Sequence, residues 1–118
     1  MSLLSVLGDA LWIVAMAMIA SGAQRFWRRL SADARVPMPW GFSRLRGGRV
    51  AALVLAIGVP LLAGLALSAI ARDPGLAPDR VLLAFLARAV TAPLFVLAHY
   101  AWIRAASQTL EAEGALKP

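Results

Sequence analysis

Val50-Ala-Ala-Leu-Val-Leu-Ala-Ile-Gly-Val-Pro-Leu-Leu-Ala-Gly-Leu-Ala-Leu-Ser-Ala-Ile70 runs for twenty-one residues without a charge. A hydrocarbon core about 30 Å thick is crossed by roughly 20 helical residues at about 1.5 Å each, so this run is long enough to span it. Two further apolar runs, 3–21 and 81–103, flank it and are interrupted by single charges, Asp9 in the first and Arg88 in the second. Over all 118 residues, 61% are apolar and 15% charged, with a mean hydropathy of +0.75. A soluble domain carries roughly 25% charged residues. The chain therefore reads as all-α, a single membrane domain of three transmembrane helices. The run 3–21 lacks the basic segment that precedes a secretory signal's apolar stretch and is longer than such a stretch, so it reads as a retained helix.

Arginine placement sets the expected orientation, since short segments rich in Lys and Arg stay cytoplasmic. The linker 22–49 holds Arg25, Arg28, Arg29, Arg35, Arg44, Arg46 and Arg49, and the tail 104–118 adds Arg104 and Lys117. The loop 71–80 holds Arg72 and Arg80, offset by Asp73 and Asp79. The N-terminus and the 71–80 loop are thus expected outside, and the linker and C-terminus in the cytoplasm. The Ala-, Arg- and Leu-rich composition suits a GC-rich bacterial genome, hence a bacterial inner membrane. The linker arginines are expected to meet anionic lipid headgroups, at about 1 kcal/mol each, rather than nucleic acid.

Within the linker, Phe26, Trp27 and Leu30 among arginines suit a helix end at the interface. The segment Val36-Pro37-Met38-Pro39-Trp40-Gly41 cannot be helical through its prolines and reads as an extended or turn segment on the membrane surface. Trp27, Trp40, Tyr100 and Trp102 are the expected interfacial anchors, with Gly47-Gly48 a hinge into the second helix. The tail is expected to continue as a fraying helix. Pro60 and Pro93 should kink their helices by freeing the carbonyls of Ala56 and Ala89, and Ser68 and Thr91 are candidates to point inward and cover such groups. Gly64 with Ser68, Ala52 with Ala56, Ala84 with Arg88 and Ala98 with Trp102 are small-residue spacings that favour close helix approach.

A carboxylate two turns into a membrane helix costs about 2.5–3.5 kcal/mol unless it is paired or wet. Arg88 lies at a similar depth from the same face, so an Asp9–Arg88 ion pair is expected. It serves either as a structural pin between the first and third helices or as part of a proton or ion relay, and the pin is preferred because a relay needs a chain of titratable groups. With helix ends uncertain by a few residues, Asp9 reaching the outer interface is the remaining alternative. His99, the single histidine, reads as an interfacial polar residue beside Tyr100; ligation of a chlorin magnesium or a haem is the sharper alternative, though no cofactor and no metal are expected. The absence of cysteine excludes disulfides and thiolate sites. No nucleophile elbow, phosphate loop or metal-ligand spacing is present, so an enzyme is not expected.

The stretch Ala34-Arg35-Val36-Pro37-Met38-Pro39-Trp40-Gly41-Phe42, set between two apolar helices, resembles the loop of a bacterial membrane domain of unknown function. That domain occurs in toxin-immunity proteins of the sporulation-delay type, where the segment reads roughly Pro-x-x-Ile-Pro-x-His-Trp-x-x-x-Gly. The resemblance implies a helix–loop–helix membrane module that protects against a membrane-acting toxin and relays a signal. Pro39 stands at the family's histidine, and Arg44-Leu45-Arg46 replace its glycine and polar turn, so no active residue is carried over. The expected function is a non-enzymatic accessory or structural subunit of a larger membrane complex of respiratory or photosynthetic type. Its partners would be membrane lipids and other integral subunits, or further copies of itself. Toxin immunity or membrane sensing is one alternative, and a small oligomeric transporter or channel another.

Overall fold

The computed structural model describes residues 3–42 and 44–116. Three helices dominate: α1, Leu3–Arg29; α2, Arg49–Ala71; and α3, Pro78–Ala112. All three are long and apolar enough to cross a membrane. A short antiparallel ribbon, β1 (Arg35–Pro37) and β2 (Arg46–Gly48), lies between α1 and α2, with Arg35 opposite Gly48 and Pro37 opposite Arg46. The class is therefore mostly helical, with one short ribbon beside the three helices. Lys117, placed with the cytoplasmic charges above, lies outside the described residues.

Two helices outrun their apolar runs. The first apolar run ends at residue 21, and its helix continues to Arg29 through the stretch read as a helix end, because Ala23 and Phe26 extend its buried face and no proline or turn cluster stops it before Ser31. The third apolar run covers 81–103, and its helix starts at Pro78 as the Pro78-Asp79 pair leads one to expect: a missing N–H costs nothing there and Asp79 complements the positive helix end. It then runs on to Ala112, since Ala106 and Leu110 are buried. The tail is accordingly helical to Ala112, and only Glu113 onward lies past the helix.

α1 is the central element. Its buried residues Ser5, Gly8, Trp12, Ala15, Ile19, Gly22 and Phe26 alternate in steps of three and four, the spacing of a left-handed helix–helix seam. Along it α3 runs parallel and presents Arg88, Ala92, Val96, His99, Ala106 and Leu110. α2 runs antiparallel to both and offers a stripe of small residues and proline at every fourth position, Ala52, Ala56, Pro60 and Gly64. Small side chains let backbones approach where lipid supplies no hydrophobic drive for association. Ala84 is only half-buried and the expected Ala98 contact is absent, Ala98 being exposed.

At Gly64 the approach is closest, because the Trp12 indole lies where a Cβ would stand. Its Nε1–H donates to the Pro60 carbonyl at 3.2 Å, and its ring meets Phe95 edge-on at 5.9 Å. Of the two kink prolines, Pro60 is buried and Pro93 exposed. Thr91 does not reach across the bundle: its hydroxyl donates to the Ala87 carbonyl of its own helix.

The linker departs furthest from expectation. It folds back as a hairpin that closes one end of the bundle, with Val36, Pro37 and Pro39 buried. Leu30, Ala34, Val36, Leu53, Ala106 and Leu110 form a single core with Phe26 beneath the ribbon. The hairpin turns at Pro39–Phe42, where the Phe42 N–H donates to the Pro39 carbonyl at 3.3 Å. Trp40 (φ 63) and Gly41 (φ 85) both take left-handed backbone, as in a type I′ turn. Such a conformation is costly for a bulky residue. The Trp40 side chain offsets it by donating from Nε1 to the Leu55 carbonyl at 2.9 Å and meeting Phe95 edge-on.

An ion pair fastens this cap. Arg46 reaches both carboxylate oxygens of Glu113, at 3.0 and 3.1 Å, and exchanges guanidinium-to-carbonyl bonds with Arg35 across the ribbon. The guanidinium beside it holds the Glu113 carboxyl below its ordinary value of 4.5. A carboxyl whose folded pKa is depressed adds stability that is full above the unfolded value and is lost as pH falls through the folded one. Lowering the pH from 6 to 3 is therefore expected to lower the thermal unfolding midpoint. Glu113→Gln should flatten the part of that fall below about pH 4.5 that comes from this pair, an effect kept small by solvent screening at an exposed site.

Candidate functional site

Opposite the hairpin, the start of α1, the end of α2 and the first turns of α3 bring four polar side chains together. Asp9 follows Gly8 on the α1 seam, Ser68 and Arg72 lie one turn apart at the end of α2, and Arg88 sits on the buried face of α3. Arg88 Nη2 donates to Asp9 Oδ1 in a short contact, and Arg72 Nη2 donates to Asp9 Oδ2 at 2.7 Å. The Ser68 hydroxyl donates to Oδ1 at 3.2 Å, and Arg88 Nη1 donates to the Ser5 carbonyl at 3.3 Å. One carboxylate thus ties all three helices, with two guanidinium groups as its partners.

The Arg88 side chain is 2% exposed, that of Asp9 20% and that of Arg72 54%, so the cluster grades from interior to surface. Glycine makes room for it: a Cβ at Gly8 would lie 2.6 Å from Arg88 Nη1. Asp9 and Arg88 stand out in the sequence as lone charges in apolar runs. Arg72 does not, because its neighbour Asp73 offered a nearer partner. The Asp73 carboxylate instead accepts the Gly75 N–H at 3.0 Å and shapes the loop. Ser68 does point inward, but toward a carboxylate and not a freed carbonyl. Beside the cluster a cleft of about 390 Å³ opens between α1 and α2, walled by Trp12, Ile13, Met16, Leu61 and Leu65, with Asp9, Ser68, Arg72 and Arg88 at its polar end.

The other singled-out residues lie elsewhere. His99 is buried on the α1–α3 seam, with its ring 5.7 Å from Tyr100 and 5.9 Å from Trp102. Neither ring nitrogen makes a hydrogen bond of ordinary geometry, and the Ile19 backbone is a loose polar neighbour. Gly22 packs over it, and a Cβ there would lie 3.3 Å from His99 Nε2.

The aromatic residues expected as membrane anchors bind protein. Tyr100 donates to the Met18 carbonyl at 3.0 Å, Trp102 to the Pro37 carbonyl at 2.9 Å, and Trp27 lies under the Arg49 guanidinium at 3.9 Å. The linker arginines divide. Arg35, Arg46 and Arg49 are engaged within the cap, Arg49 also donating to the Leu30 carbonyl, whereas Arg25, Arg28, Arg29 and Arg44 form no ion pair among the described residues.

No family model, curated protein or solved structure matches this chain.

Proposed function

We propose that this is a non-enzymatic multi-pass membrane protein that acts by binding, as an accessory subunit seated against a larger membrane complex. Its N-terminus and the 71–80 loop face outward and its hairpin cap faces the cytoplasm. The observation that carries this reading is the division of its surface. The strong polar groups of the bundle are turned onto one another, as in the Asp9 cluster and the indole-to-carbonyl bonds. The outer faces of α2 and α3 present large apolar side chains throughout, among them Leu62 and Leu65 on α2 and Leu86, Val90 and Leu94 on α3. A bundle pinned at one end by charge and closed at the other by a hairpin offers a rigid apolar face, which suits docking to another helix.

The test is site-specific photocrosslinking in native membranes from Leu62, Leu86 and Leu97, followed by mass spectrometry. One face is expected to give a stoichiometric adduct with a second membrane protein while the opposite face gives none. Adducts only between copies of this chain would instead favour an oligomeric transporter. If no position yields a protein adduct, the subunit reading is wrong.

A further inference from the structure

The cleft between α1 and α2 joins two chemistries that rarely share a wall. Its length, from Asp9 to Met16 along α1 and from Arg72 to Leu61 along α2, is apolar except at one end. At that end two guanidinium groups face one carboxylate, which leaves one positive charge in excess. Arg88 Nε is also buried with no hydrogen-bond partner among the described residues, so a donor there is left unused. Asp73, the nearest further acid along the chain, is turned to the Gly75 amide and takes no part in the cleft wall. Arg72 spends Nη2 on Asp9 and, being half exposed, has donors left for a second anion. Unbalanced charge beside apolar walls is stabilised by an opposite charge that arrives with an apolar body.

We propose that this cleft is a binding site for an anionic lipid, with one acyl chain lying along Trp12 and Leu65 and the headgroup phosphate held by Arg72 within the field of Arg88. The site is separate from the arginines of the linker, which lie at the far end of the bundle, and it stands whether or not the protein belongs to a complex. Zwitterionic lipids of the same chain length fill the groove less well, because their own cation meets Arg72.

The experiment uses the full chain in mild detergent with phosphatidylglycerol or phosphatidylcholine of identical chains, reading lipid adducts by native mass spectrometry. Phosphatidylglycerol is expected to be retained roughly five- to tenfold better, the scale of one desolvated arginine–anion contact. Arg72→Gln should remove that preference without unfolding the bundle, because Arg88 still holds Asp9. Leu65→Trp, which fills the groove, should lower retention of both lipids. Millimolar inorganic phosphate should not compete, since it brings no chain. Equal retention of the two lipids, an unchanged preference in Arg72→Gln, loss of preference only in Arg25→Gln/Arg29→Gln, or full competition by phosphate would each overturn the assignment.

Discussion

Asp9→Ala is expected to be the most damaging single change at the polar cluster, costing about 3–5 kcal/mol, the usual cost of stripping the partner from a buried charge. The loss is asymmetric. Without Asp9, the Arg88 guanidinium stays buried and keeps the Ser5 carbonyl but no carboxylate. Without Arg88, Asp9 keeps Arg72 and Ser68 and lies closer to the surface. Arg88→Met should therefore cost less than Asp9→Ala, and Arg72→Gln least, its side chain being half exposed. The double variant Asp9→Leu/Arg88→Met should recover most of the loss, because an apolar pair of similar volume replaces a buried ion pair at little cost. Chemical unfolding in detergent followed by circular dichroism gives this order. If Asp9→Ala proves as stable as the parent, the pinning role of the cluster is refuted.

Gly64→Leu is expected to have the second largest effect. Even the Cβ of alanine at this position falls within the Trp12 ring, so either the indole leaves its rotamer or α1 moves away from α2. Overpacking of this kind costs about 1–3 kcal/mol for small additions and more for large ones. Gly64→Ala should lie in that range and Gly64→Leu beyond it. Each should also weaken the Trp12 bond to the Pro60 carbonyl, shifting indole fluorescence. Trp12→Leu should relieve part of the Gly64→Ala penalty, so the two changes are non-additive. Gly58 is the control: a Cβ there meets nothing within 4 Å, so Gly58→Ala should be neutral or slightly stabilising through helix propensity. Equal effects at positions 58 and 64 would mean that backbone propensity, not contact with Trp12, governs α2.

The three helices are legible because uncharged runs of this length have few other uses. Both ends of α2 and the start of α3 at Pro78 are legible as well, whereas the way α1 packs is not. Between Ala10 and Ala20 every position of α1 is apolar, so this part of the seam has no polar background against which to appear. The small residues Gly8, Ala15 and Gly22, seven apart, carry the only trace of it. The ribbon was hidden because its strands are three residues long and contain Pro37 and the Gly47-Gly48 pair, which carry little strand propensity. Its stability comes from tertiary contacts, chiefly Val36 in the core and Trp102 on the Pro37 carbonyl. Amphipathic aromatics look alike whether their polar edge meets water at a bilayer surface or a backbone carbonyl, so Trp40, Tyr100 and Trp102 were legible as partly polar environments but not as protein contacts. Asp9 and Arg88 were conspicuous because charge in an apolar run is expensive, whereas Arg72, beside Asp73, carried no such signal.

The wide sequence separation of the contacts to Asp9 bears on how the chain is made. Arg72 follows it by 63 positions and Arg88 by 79, so during synthesis the first helix leaves the ribosome long before either partner exists. The hairpin likewise precedes its docking sites at Leu55, Phe95 and Trp102. Until Arg72 has emerged, the nascent chain carries Asp9 with neither guanidinium partner, and Arg88 joins the pair only later. A chain that stops short of Arg72 thus differs chemically from the finished protein, since it carries Asp9 without either of its arginine partners.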